Sequence, residues 1–149
     1  MAEILFYHLT ESKLEEALPP LVEKSVARGW KVVLQFADEP ARDRIDAHLW
    51  TWREQSFLPH GIEGGDADAR QPILLTTGEG NANGANIRFL CAGADIADAD
   101  GYERVVVMFD GHDNEQLDRA RGQWRRFLGP ANQLTYWQQN GAGGWERKA

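Results

Sequence analysis

The sequence predicts an α/β layered domain built on a mainly parallel sheet. Two observations carry this. Apolar runs of strand length alternate with stretches that repeat at helical spacing. Several of those runs are continuously apolar rather than alternating, the pattern of strands covered on both faces. The chain of 149 residues suits one domain with its own core, over residues 1–149.

EILFYHL (3–9) reads as the first strand. Ser12 and Glu15 then match a capping box. Leu14, Leu18, Leu21, Val22 and Val26 recur at helical spacing, but Pro19 and Pro20 interrupt them. The expectation is a short turn followed by a helix over about 20–28, stopped by Gly29. KVVLQF (31–36) is the second strand. EPARDRIDAHLW (39–50) is the second helix, with Pro40 near its start and Ala41, Ile45, His48 and Leu49 on one face. GIEGGDADAR (61–70) is a polar loop. QPILLTT (71–77) and NIRFLCAG (86–93) are the third and fourth strands, and ERVVVMFDG (103–111) is the fifth. NEQLDRARGQWRRFLG (114–129) is the last long helix, capped by Asp113 and stopped at Gly129-Pro130. QLTYWQQ (133–139) closes the sheet, and residues 140–149 form a flexible tail in which Trp145 is the one candidate for order.

Composition narrows the function. The net charge of −7 opposes broad contact with a nucleic-acid backbone, so no direct nucleic-acid binding is expected. The single cysteine, Cys91, excludes an intrachain disulfide and fits a reducing, cytoplasmic setting. No apolar run approaches a membrane span, and no signal-peptide pattern opens the chain.

The candidate catalytic features are weak. GEGNANG (78–84) spaces its glycines G-x-G-x-x-x-G and leads into a strand, so it lacks the helix N-terminus that holds phosphate. Asn83-Gly84 is instead a hairpin turn signal. FDGHD (109–113) places Asp110 at a strand end, with His112 beside it, where α/β enzymes keep catalytic carboxylates. The same residues also make an ordinary turn and a helix cap at Asp113, completed by Gln116. His8, His48, His60 and His112 show no metal-ligand spacing, and Cys91 reads as a small core residue. The alternative to a non-catalytic protein is thus a small nucleotide-binding protein or enzyme using Asp110, His112 and the 78–84 loop. No cofactor is expected otherwise.

Two stretches are richer. On the last helix, Leu117, Ala120, Trp124, Phe127 and Leu128 form an apolar stripe. Arg121 and Arg125 run along its edge, and Arg119 and Arg126 lie further round. Four arginines in eight residues reverse the local charge of an acidic chain, and arginine beside an aromatic suits a carboxylate next to an apolar group. Such runs are also ordinary solvated faces. Between Trp50 and His60 the chain gathers Trp50, Trp52, Phe57, Leu58 and Pro59, which suits either a lid on the sheet edge or an interface hot spot.

HLW followed by EQSFLPHG, QPILLTT, NANGA, ERVVVMFDG and an arginine-rich last helix resembles the chi subunit of bacterial DNA polymerase III, from the first strand to about Trp137. The resemblance implies a three-layer Rossmann-like domain with a mainly parallel sheet and flanking helices, and no polymerase chemistry of its own. It implies an adaptor in the clamp-loader part of the holoenzyme with two contacts. One is the psi subunit or another loader subunit, met by a surface that matches Trp50, Phe57, Pro59 and His60 and that can hold a helicase-like repair partner instead. The other is the acidic C-terminal tail of single-stranded DNA-binding protein, which ends in a phenylalanine and a free carboxylate. The family's carboxylate-holding arginine matches Arg121 and its aromatic matches Trp124. A family lysine four residues earlier matches Leu117, which leaves Arg125 or Arg119 as its replacement.

Overall fold

The computed structural model describes residues 2–52, 58–142 and 144–149. The strands are β1 (Ala2–Leu9), β2 (Val32–Phe36), β3 (Gly61–Ile62), β4 (Ile73–Thr76), β5 (Ile87–Cys91), β6 (Arg104–Asp110), β7 (Asn132–Gln139) and β8 (Trp145–Arg147). The helices are α1 (Leu14–Ala27), α2 (Glu39–Thr51) and α3 (Asn114–Phe127). The strands form one sheet in the order β3-β4-β2-β5-β6-β1-β7-β8. Every pairing is parallel except that of β8 with β7. This is the three-layer α/β fold. Every residue of β2, β4 and β5 is buried, which is why these strands read as largely apolar runs; Gln35 and Arg88 inside them are buried as well.

Alternate residues of the strands feed two cores. Leu18 and Val22 of α1, and Ile45 and Leu49 of α2, pack on one face with Leu34, Phe36, Phe89 and Met108. Ala120 and Phe127 of α3 pack on the other with Ile4, Phe6, Leu90 and Phe109. Leu117, Trp124, Leu134 and Tyr136 border that second core.

The sequence misplaces several details. First, α1 starts at Leu14 and runs through both prolines. An interior proline costs about 3 kcal/mol. Leu18 and Val22 are wholly buried on the stripe that crosses the interruption, and each contributes about 1.5–3 kcal/mol, joined by partly buried Leu14, Leu21 and Val26. Second, the cap of α1 is Lys13, not Ser12, and no side chain caps it. Ser12 is held elsewhere: the N–H groups of Thr10, Glu11 and Ser12 all donate to Gln139 Oε1, and Gln139 Nε2 donates to Ser12 Oγ. Third, the tail expected to be flexible returns as β8. Trp145 packs edge-on against Tyr7 at 4.7 Å, and Lys148 N donates to Tyr136 O at 2.8 Å. This burial and pairing order it.

Asn83-Gly84 is a turn, with Gly84 at φ +64°, but not a hairpin, because β4 and β5 flank β2 in parallel. The Asn83 side chain is buried and donates to Val32 O and Gln71 O. The 61–70 stretch read as a loop contributes the short edge strand β3.

Candidate functional site

α3 forms because Asp113 caps it, accepting from the N–H groups of Glu115 and Gln116, and because its apolar stripe faces the sheet. At its inner edge lies a cavity of about 400 Å³. Leu117, Ala120, Arg121, Trp124 and Arg125 line it from the helix. His8 of β1, Phe109 of β6, Tyr136 of β7 and Ala149 line it from the sheet side. The four residues expected for a tail site, Leu117, Arg121, Trp124 and Arg125, are therefore brought together. The Trp124 ring meets Phe6 edge-on at 5.2 Å and Tyr136 at 6.1 Å, so it forms a fixed aromatic wall.

The arginines divide. Arg121 is 65% exposed, and its guanidinium meets the still more exposed Asp118 at 3.3 Å. Such a pair is worth little in water and leaves the cation available. Arg125 lines the cavity as well, whereas Arg119 lines a separate depression beside Gly93. Of Arg125 and Arg119, only Arg125 is at this cavity. Arg126 is occupied: it bonds both carboxylate oxygens of Asp95 and the carbonyl of Ile96. Burial alone would raise the Asp95 carboxyl, but hydrogen bonds from Arg126 and Gln123 hold it below the usual carboxylate range.

Sequence reasoning missed His8, Phe109, Tyr136 and Ala149 as members of this cavity. They come from three parallel strands and a returning segment far apart in the chain. The available signal is the two-residue period that puts His8 on the same face as Ile4 and Phe6, which becomes informative only once the strand order is known.

The second candidate surface lies on α2 and the segment after it. Trp50 is 52% exposed, and its ring rests on that of His60 with centroids 4.2 Å apart. His60 itself is buried, with Nδ1 at 2.6 Å from Leu58 O and Nε2 at 3.2 Å from Asp46 O. Leu58 is buried in the core and Pro59 is exposed. Trp50 and Pro59 are thus exposed beside the buried Leu58 and His60. Phe57 lies outside the described residues. The α2 surface and the α3 cavity are on opposite faces of the sheet.

The alternative chemistry does not assemble. Asp110 Oδ1 accepts from His112 N, and Asp110 N donates to Gln116 Oε1, as in a turn leading to a cap. Asp110 and His112 line one cavity with Ser12 and Arg44, while Gly78, Glu79 and Asn81 line others. The 78–84 loop is instead a structural element pinned by Arg88, which donates to Gly78 O and Gly80 O. Cys91 is fully buried, and burial pushes its thiol pKa far up, away from nucleophile chemistry. Among the described residues no cluster of three or more potential metal ligands occurs, and no helix is long and apolar enough to cross a membrane.

Comparison with known proteins gives a consistent picture. The family model described as DNA polymerase III chi subunit, HolC, matches residues 1–132. A protein of Rickettsia prowazekii (strain Madrid E), named probable DNA polymerase III subunit chi, is 26% identical over 156 aligned positions, covering 100% of this chain and 93% of that protein. The DNA polymerase III subunit chi of Pseudomonas aeruginosa is 40% identical over 63 residues, 42% of this chain and 43% of that one.

Proposed function

This chain belongs to the DNA polymerase III chi subunit family, and on that footing we propose that it is a non-catalytic adaptor linking the clamp loader to single-stranded DNA-binding protein. Membership places it among accessory subunits of a DNA replication complex. The finer reading concerns which surfaces it uses.

The observation that carries the reading is the α3 cavity, where an exposed, weakly engaged Arg121 stands beside a wall of Leu117 and Trp124. A peptide ending in phenylalanine and a free carboxylate needs both features. The carboxylate takes charge-assisted hydrogen bonds from Arg121, with Arg125 as the second cation, and the phenyl ring leaves water against Trp124 and Phe109. Each contribution is about 1.5–3 kcal/mol. The acidic residues ahead of the phenylalanine are attracted by the same local excess of arginine on a chain of net charge −7.

The second contact is psi, or another loader subunit or a repair helicase in its place, seated on Trp50, Phe57 and Pro59. His60 acts there from beneath, holding Trp50 in place. Because α2 and α3 lie on opposite faces of the sheet, both partners fit at once. The chain then works as a tether that raises the local concentration of the loader near coated DNA, in the cytoplasm and without touching DNA or a membrane itself.

The test is a fluorescence titration with a labelled acidic peptide ending in Ile-Pro-Phe, free acid against its amidated twin. Salt-sensitive binding of the acid alone is expected. Equal binding of the two, or none, sinks the pocket assignment.

A further inference from the structure

The floor of the α3 cavity holds a titratable pair that capture by Arg121 does not use. The Tyr136 hydroxyl lies 2.6 Å from His8 Nδ1. The His8 ring is stacked on Phe109, with centroids 5.0 Å apart and planes inclined by 25°. Its Nε2 and Cδ2 edge lies against Gly111, where an added Cβ would stand 2.2 Å from Nε2. A glycine is needed there for the ring to keep this position. The imidazole is therefore locked, and Nδ1 and the Tyr136 hydroxyl are committed to each other.

Building on the tail-pocket reading, we propose that the His8–Tyr136 pair is a proton-linked contact for the guest: a carboxylate entering the cavity draws a proton onto His8, and Tyr136 then turns its hydroxyl hydrogen toward the guest. The argument follows from donor and acceptor roles. When Nδ1 carries no proton, Tyr136 donates to it and shows the cavity only lone pairs, which repel a carboxylate. When both ring nitrogens are protonated, Nδ1–H donates to Tyr136 Oη, and the phenolic hydrogen is released to the guest.

The surrounding charges keep this switch in the first state while the cavity is empty. Burial, then His112 from the β6–α3 turn, then Arg121 from α3 disfavour the charged ring, and Asp110 at the end of β6 favours it. Together these lower the His8 pKa below its ordinary value. Arg125 and Ala149 complete the lining, and Tyr136 stays neutral because burial raises its own pKa. An anionic guest offsets the field of Arg121 and adds a negative charge of its own. Both changes favour the imidazolium, so the proton arrives from solvent with the guest.

Calorimetric titration with the same acidic peptide, in buffers of different ionisation enthalpy from pH 6 to pH 8 at fixed salt, reads the proton directly. The expected result is net uptake on binding, with affinity about threefold or more higher at pH 6 than at pH 8. His8→Leu should remove most of the uptake. Tyr136→Phe, which keeps the ring, should weaken binding more at pH 6 than at pH 8. Binding with no uptake and one affinity throughout overturns the proposal, because the hydroxyl is then freed by a neutral tautomer or not used. Uptake of undiminished size in His8→Leu also overturns it, and assigns the proton to His112 or another group. Absence of peptide binding at every pH removes the tail-pocket reading itself, and this inference with it.

Discussion

Arg88 donates twice to a single oxygen, Gln35 Oε1, from Nε at 2.8 Å and from Nη2 at 2.6 Å. Arg88 is completely buried and Gln35 nearly so. The remaining donors reach Gly78 O, Gly80 O and the Tyr102 hydroxyl, so each of these hydrogen bonds joins a buried cation to a neutral acceptor. Gln35 continues the network by donating to Asp95 O. The glycine-rich loop is thereby fastened to the sheet through the carbonyls of Gly78 and Gly80. Arg88→Met should cost about 3–5 kcal/mol, because several buried acceptors lose their donors together. The urea midpoint should drop accordingly, with faster hydrogen exchange across residues 78–84. A midpoint within experimental scatter of the parent would show that the network adds nothing to stability.

Cys91 lies at the end of β5, wholly buried, and burial holds its thiol protonated at ordinary pH. Thiol reagents should leave the folded protein unmodified and label it fully in denaturant. Rapid labelling of the folded chain would mean that the β5 end opens locally.

Much of this architecture is legible in the sequence because burial on two faces leaves an unmistakable signature. β2, β4, β5 and β6 are mainly apolar runs, broken inside only by Gln35 of β2 and Arg88 of β5, and α3 carries Asp113 at its start and a clear stripe along its length. The errors arise where tertiary contacts override local preference. Pro19 and Pro20 argue against α1 locally, and the burial of Leu18 and Val22, together with that of Leu14, Leu21 and Val26, offsets them. Ser12 is a good cap by residue type, but Gln139, 127 positions away, takes its hydroxyl. Trp145 hinted at order, yet nothing local foretold a strand, which depends on β7 and Tyr7. The candidate cavity follows the same rule. Its helical half, one face of α3, could be read from spacing. Its sheet half, His8, Phe109 and Tyr136, needed the strand order.

Trp50 and His60 are neighbours with opposite expected phenotypes. Trp50 is half exposed, whereas His60 is buried and fastened to Leu58 and Asp46. Trp50→Ala should change stability by less than about 1 kcal/mol, as surface substitutions do. It should weaken binding of psi or another loader subunit by about 2 kcal/mol or more, as loss of an aromatic anchor does. His60→Ala should instead destabilise the fold by about 1–3 kcal/mol, because a buried ring and its hydrogen bonding to the surrounding backbone are lost. Parallel denaturation and partner pull-down measurements separate the two. If Trp50→Ala leaves every loader subunit bound as before, the α2 surface is not the contact.

Arg121 and Arg126 sit on one helix, yet they should separate binding from stability. Arg121→Ala should weaken the acidic peptide by about 1.5–3 kcal/mol, roughly tenfold or more, with little change in unfolding. Arg126→Ala should leave peptide affinity within about twofold, since its guanidinium is bound to Asp95 and Ile96 rather than facing the cavity. Its effect belongs to Asp95, whose carboxyl is held below the ordinary range against the opposing effect of burial. A carboxyl depressed by folding stabilises the protein above its unfolded pKa of about 3.9, and that stability is lost as pH falls through the lower, folded value. The Arg126 and Asp95 side chains are 42% and 34% open to solvent, so screening limits the contribution to about 0.5–1 kcal/mol. Urea unfolding from pH 7 down to pH 2.5 should therefore show Arg126→Ala less stable than the parent at neutral pH, with the gap closing below about pH 4. A gap that stays constant to the lowest pH would assign the loss to the Ile96 contact and to packing on Phe127, not to the Asp95 charge.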